Sequence, residues 1–282
     1  RRLNDLDIAG VDLSTIPRDS IARIEITRGN SGAVLYGDNA VGGVINIVTK
    51  IPGAGAPPAS MRVEGGGGSF NQRFGSISAT TNLGPWSSSA YGNAIQSDGY
   101  RVNNALTQRN AIGDIRYTTP DLSAFLTLSG DNQHLGLPGG RIVDPGAGIN
   151  QLATDRRGTA SPFDYADKQG FNATAGFTKT LWNGAELIVD GGVRNKWQQA
   201  GFFGATPAVP FNYVDTTLTT WSITPRLSIK NPMFGLPSTI LTGIDYYDAT
   251  YHSDRPLFKG AAPIHVFDLR QQTLAAYWQQ TV

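Results

Sequence analysis

From about residue 60 to the end of the chain, apolar and polar side chains alternate with a period of two, the spacing of strands whose two faces meet different surroundings. The pattern predicts strands near 60–66, 71–82, 87–97, 107–118, 122–132, 169–181, 186–198, 216–230, 238–250 and 269–282. In the eighth of these, Trp221, Ile223, Leu227 and Ile229 share one face, opposite Ser222, Thr224, Arg226, Ser228 and Lys230. The seventh sets Leu187, Val189 and Val193 against Asp190, Arg194 and Lys196, and the fourth sets Ala111, Ile115 and Tyr117 against Asn110, Asp114 and Arg116. A soluble β-sandwich alternates in the same way. Length argues against it: runs of about ten to fifteen residues exceed the usual five or six of globular strands. They match a tilted strand that crosses a bilayer.

The connections carry a second regularity. Leu83-Gly84-Pro85-Trp86, Thr119-Pro120-Asp121, Trp182-Asn183-Gly184-Ala185 and 231–237 are short, whereas the alternate connections at 98–106, 133–168, 199–215 and 251–268 are long. Short turns on one rim and long loops on the other describe an outer-membrane barrel. Trp86 and Trp182 fall at short turns, where an aromatic girdle at the periplasmic interface places them, although hairpin packing alone also accommodates a tryptophan. Pro225 lacks the N–H for a ladder rung and predicts a bulge in its strand. The run Gly65 to Gly68 lies between two strands with no helix pattern after it, which suits an outer hairpin better than a nucleotide loop.

Ahead of this region, residues 21–50 read IARIEITRGNSGAVLYGDNAVGGVINIVTK. Ile21, Ile24 and Ile26 fit a half-buried strand, and Val44, Ile45, Ile47 and Val48 a second one, with glycines between that let the chain reverse twice. A phosphate-binding loop is excluded by the glycine spacing and by the lack of a Lys-Ser or Lys-Thr pair. Arg28-Gly29, Leu35-Tyr36-Gly37, Gly42-Gly43-Val44-Ile45-Asn46-Ile47 and Thr49-Lys50 together resemble the end of the plug domain of a TonB-dependent outer-membrane receptor. Asn30 departs from the proline usual in that family.

The resemblance implies a fold: an all-β transmembrane antiparallel barrel, partial and unclosed with about ten strands, preceded by a small α/β plug remnant. It implies the division 1–52 for the C-terminal part of the plug, 53–59 for a linker and 60–282 for the N-terminal portion of the barrel. Plugged transporters have about 22 strands, so the chain reads as a fragment.

Composition leans the same way. Glycine is 34 of 282 residues and charged residues are 16%, against a usual ~25% charged. Cysteine is absent, which agrees with an oxidising envelope, and the net charge of +1 argues against a nucleic-acid surface. No run of about eighteen apolar residues predicts a spanning helix, so any crossing is made by strands.

Catalytic chemistry finds no foothold in the sequence. His134, His252 and His265 fall in expected long loops without metal-site spacing, and solvation is the plain reading for each. Glu25, Glu64 and Glu186 offer no acid and base pair. Asp144, Asp155, Asp164 and Asp167 share one expected polar loop, where turn formation explains them. Serines occur without a nucleophile elbow. The expectation is no enzyme, no catalytic residue, no metal site and no cofactor.

What the resemblance implies instead is transport. The family imports scarce nutrients such as ferric siderophores, haem or cobalamin, with energy from the TonB complex, and sits in outer-membrane lipid of Gram-negative bacteria. A passive porin or a β-sheet adhesin or glycan-binding protein is the competing reading. By the same resemblance Arg28 pairs with barrel carboxylates, while Gly29, Tyr36, Gly37, Gly42, Gly43 and Asn46 shape the plug. In the long loops Arg141, Arg156 and Arg157 are candidates to grip cargo oxygens, and Phe202, Phe203, Tyr213 and Tyr251 to stack on it. For each of these, loop packing is the plainer role.

Overall fold

A computed structural model describes residues 13–28, 43–51, 57–203, 206, 212–232 and 235–282. Gly29, Tyr36, Gly37 and Gly42 of the glycine-rich segment lie outside the described residues. Two short 3-10 turns, Leu13–Thr15 and Arg18–Ser20, lead into β1 (Ile21–Arg28), which pairs antiparallel with β2 (Gly43–Thr49). The register of that pair shifts near its start, between Ile21 and Arg23. Gly43 is required by its backbone: φ is 132°, and a Cβ there would strike the Thr27 carbonyl. Asn46 stands opposite Glu25 and donates to its carboxylate at 2.8 Å. Arg23 and then Asn46 hold the Glu25 carboxyl below its ordinary range. Ile24 and Ile26, expected to be half-buried, are exposed, because this two-stranded ribbon has no second layer over it among the described residues.

The remaining strands are β3 (Ala59–Gly68), β4 (Gln72–Leu83), β5 (Trp86–Ser97), β6 (Leu106–Thr118), β7 (Leu122–Gly136), β8 (Val143–Asp144) and β9 (Ile149–Asn150). After one helical turn, α1 (Gln151–Thr154), come β10 (Tyr165–Trp182), β11 (Ala185–Phe202), β12 (Asn212–Lys230), β13 (Thr239–Arg255) and β14 (His265–Thr281). All but the β1–β2 pair and the small β8–β9 hairpin form one ten-stranded sheet in chain order, every neighbouring pair antiparallel. This is a meander, unclosed at β3 and β14. The 3-10 turns contact it at β7 and β4.

Register fixes which side chains share a face. One face carries Ile77, Trp86, Ile115, Leu126, Leu128, Phe171, Phe177, Trp221, Ile223, Leu274 and Trp278, all exposed. The opposite face carries Ser89, Asn110, Asp114, Ser129, Asn172, Thr216 and Ser253, all buried. In a curved sheet, side chains converge on the concave side and diverge on the convex one. The polar face is therefore the enclosed one, and the apolar face points outward. An exposed apolar outside with a polar inside reverses the order of a water-soluble sandwich.

Two differences from the sequence reading stand out. Pro225 makes no bulge: the β12–β13 ladder breaks at Thr224 and Pro225 but resumes in the same register, from Ile223↔Tyr246 to Arg226↔Gly243. Gly243 gives the proline room, since a Cβ there would lie 2.8 Å from the Pro225 carbonyl oxygen. Secondly, the long strands reach further outward than expected. Strand β12 has 19 residues, beyond the ~9–11 needed to cross a bilayer. His134 and His252 consequently lie on β7 and β13, His265 begins β14, and Asp167 lies on β10.

Candidate functional site

The apolar face ends part-way up the wall. On β10 it runs from Trp182 to Phe171, and ~11 residues at ~3.3 Å each, tilted by ~40°, give ~28 Å, close to the ~25 Å outer apolar band of such barrels. Above it the same face turns polar, with Gln169, Asp167, Asn195, Gln199, Thr217, Thr219, His252, Asp268 and Arg270. A shallow cleft of about 310 Å³ opens there, lined in part by Thr217, Thr219, His252 and Arg270. At the short-turn rim Trp86, Tyr117, Trp182 and Trp278 mark the other interface, the first two rings 4.9 Å apart. Polar groups inside the band are satisfied locally: Thr81 and Ser88 share a hydrogen bond at 2.8 Å. Lys179, on the outer face near the rim, extends to the Asp121 carboxylate in the β6–β7 turn.

The inner wall is a polar mosaic. Arg116 lies against Asp114 at 2.8 Å, Thr127 donates to the same carboxylate at 2.6 Å, and Phe125 lies under the guanidinium at 4.9 Å. Arg226 of β12 pairs with Asp190 of β11. Arg28 ends β1 with an exposed side chain.

The outer rim holds the residues proposed from sequence to meet cargo. Connection 137–164 is an organised loop rather than a free one. Arg101, from connection 98–105, donates to the carbonyls of Gly139 at 2.7 Å, Pro138 at 3.1 Å and Gly158 at 3.0 Å. Asn103, with φ 57°, donates to Ser161 and Asp164 carbonyls at 2.7 and 2.8 Å. Asp144 and Asn150 cap the β8–β9 turn and α1 through their side-chain oxygens.

Within this framework the candidates part company. Arg141 pairs with Asp155 at 2.6 Å and is 8% exposed, so it fastens the loop instead of facing the medium. Arg156 is exposed and donates to the Leu152 carbonyl at 3.2 Å. Arg157 donates from Nε to the Tyr100 carbonyl at 2.9 Å and lies over the Phe70 and Tyr100 rings. Phe202 ends β11 on the inner face, and Phe203 stacks on Tyr165 while its backbone N–H donates to Asp164 at 2.7 Å.

Tyr213 and Tyr251 offer no accessible stacking face, being buried at 4% and 5% exposure. The Tyr213 hydroxyl is spent on Gln199, whose amide in turn donates to Asp167, which also meets His134 at 2.6 Å. Sequence reading missed Arg101, Asn103, Phe70 and Tyr100. Only the paired Asn103-Asn104, a left-handed-turn signal, marked any of them.

Among the described residues no three His, Asp or Glu side chains are placed to hold a metal ion. Nor is any helix long and apolar enough to cross a membrane, a statement that leaves strands aside.

An apolar jacket, a polar interior, aromatic rims and unequal loops define the wall of an outer-membrane β-barrel. No family model matches the chain. Over 85 residues it is 38% identical to the vitamin B12 transporter BtuB of Photobacterium profundum, a stretch covering 30% of this chain and 14% of that protein. Among solved structures, the ferric citrate transporter FecA in its unliganded form superposes with a TM-score of 0.74 at 18% identity, over 94% of this chain and 40% of FecA. The ferripyoverdine receptor of the Pseudomonas aeruginosa outer membrane, bound to ferripyoverdine, gives a TM-score of 0.75 at 14% identity, over 92% of this chain and 39% of the receptor. The fold is that shared by these solved outer-membrane receptors, and over the shared stretch the sequence is similar to BtuB. The proteins it resembles are transporters and receptors rather than enzymes, and the ferripyoverdine receptor among them is one of the outer membrane. The chain spans about two fifths of the length of the solved structures it matches.

Proposed function

We propose that the intact protein imports a scarce nutrient, a ferric siderophore, haem, cobalamin or a similar chelate, across the outer membrane with energy from the TonB complex. The observation that carries this reading is the polar inner wall enclosed by an apolar jacket, preceded by the β1–β2 pair, whose leading 3-10 turns contact that sheet. In this division residues 1–52 belong to the plug, 53–59 to a linker and 60–282 to the barrel. A passive pore has no use for such a segment.

Import needs no covalent step by the protein. Outer connections capture cargo, the plug rearranges, and the wall supplies exchangeable hydrogen-bond partners along the path. Arg156 and Arg157 are the accessible guanidinium groups of the set, suited to carboxylate or catecholate oxygens, and Phe202 and Phe203 are the remaining aromatic candidates. Arg28 is assigned to a registry pair with a barrel carboxylate, the family role of the plug arginine. Growth of a deletion strain on a panel of single iron sources and on limiting cobalamin tests the reading. Loss of growth on one source supports it, and growth equal to the parent on all of them rejects it.

A further inference from the structure

The turn between β3 and β4 is built against its own sterics. The Gln72 N–H donates to the Ser69 carbonyl at 3.3 Å, and the two central residues, Phe70 and Asn71, have φ of 60° and 54°. Positive φ at both centres is the tight hairpin geometry that favours Asn-Gly, and a bulky side chain at the first position is strained. Such strain persists where surrounding contacts fix it, and it gathers at ligand sites.

Those contacts are present. The Asp98 N–H donates to the Phe70 carbonyl at 2.9 Å, and the Phe70 ring stands edge-on to Tyr100, centroids 5.6 Å apart at 87°. Phe70 and Tyr100 each remain 42% exposed. Arg157 lies 5.7 Å from each ring, positioned by its Nε bond to the Tyr100 carbonyl and by the Val102 N–H, which donates to the Arg157 carbonyl at 2.8 Å. Three connections far apart in sequence thus converge on two partly exposed aromatic residues and one exposed guanidinium. With Nε tied back, the terminal nitrogens are the part of the fork left for a ligand; among the described residues they take no hydrogen bond.

We infer that Phe70, Tyr100 and Arg157 form a recognition site on the outer rim for a flat anionic group, an aromatic carboxylate or catecholate arm of a metal chelate, which rests on the import reading above. The guanidinium takes the oxygens in a forked, charge-assisted contact, and the rings take the flat face. The turn then gives up local stability to hold Phe70 in place, so relieving the strain separates stability from binding.

The test uses the intact receptor in detergent, titrated with the ferric complex of 2,3-dihydroxybenzoate by tryptophan fluorescence. Phe70→Asn, suited to the turn, raises the urea unfolding midpoint yet weakens binding by about tenfold, the equivalent of one strong contact. Arg157→Gln weakens it by a similar factor with folding unchanged, and Arg157→Lys retains part of the affinity because the charge remains without the fork. Affinity within twofold of the unmodified receptor in both Phe70→Asn and Arg157→Gln overturns the proposal. Failure of the unmodified receptor to bind the complex, with cobalamin import intact, also overturns it while leaving the import reading standing. Uptake of every nutrient by a strain lacking the receptor overturns the import reading and the proposal with it.

Discussion

Placing a charge at Phe177 tests the outward apolar face at its most demanding point. Phe177 lies five residues from Trp182 along β10, so at ~3.3 Å per residue and a ~40° tilt it sits ~13 Å above the aromatic rim, near the middle of a ~25 Å band. Its rung neighbours, Ala124 on β7 and Val189 on β11, provide no counter-charge. Phe177→Arg must hold a guanidinium in hydrocarbon, at a cost of about 2–4 kcal/mol at the midplane. The adjacent Thr178 points to the inner face, so Thr178→Arg leaves its charge in a polar lumen and costs less than Phe177→Arg. Phe171→Arg, at the outer boundary, falls in the interfacial range of about 0–1 kcal/mol. Equilibrium unfolding of the intact receptor in lipid vesicles, followed by tryptophan fluorescence, ranks the three. If Phe177→Arg is no worse than Thr178→Arg, the outward face does not meet lipid and the assignment of faces is wrong.

Three further outcomes follow from particular contacts. Lys179 first, and Thr119 next, hold the Asp121 carboxyl below its ordinary value of 3.8, so their stabilisation is present above that pH and disappears as pH falls through the lowered value. Asp121→Asn therefore destabilises the receptor at neutral pH, and urea titrations show its difference from the unmodified chain fading below pH 3.8. Arg101→Ala strips the donor from three loop carbonyls and loosens connection 137–164 by about 2–4 kcal/mol, read as faster limited proteolysis there with barrel assembly intact. Gly243→Ala drives a methyl group against the Pro225 carbonyl and the Tyr277 hydroxyl and costs about 1–3 kcal/mol in the same unfolding assay.

The parts of this fold that alternation can encode were legible in the sequence. Trp221, Ile223 and Ser222 divide between the faces as their spacing dictates, and the glycine turns end strands where the short connections begin. Where β7, β10 and β13 rise above the apolar band, both faces become polar, so the period-two signal vanishes although the ladder continues. That is why His134, Asp167 and His252 read as loop residues. Pro225 was legible as a ladder defect but not as one that keeps register, because the relief comes from Gly243 on the neighbouring strand. The outer rim was least legible. Arg101 and Asn103 act on backbone carbonyls, which every sequence supplies, and the strain at Phe70 appears only in its φ angle.

Uptake of radiolabelled ferric chelates and cobalamin by cells carrying the receptor, measured with and without a working TonB complex, tests the central claim most directly. The account predicts accumulation against a gradient that requires both the receptor and TonB. Receptor-dependent flux that continues undiminished without TonB would identify a passive pore and contradict it.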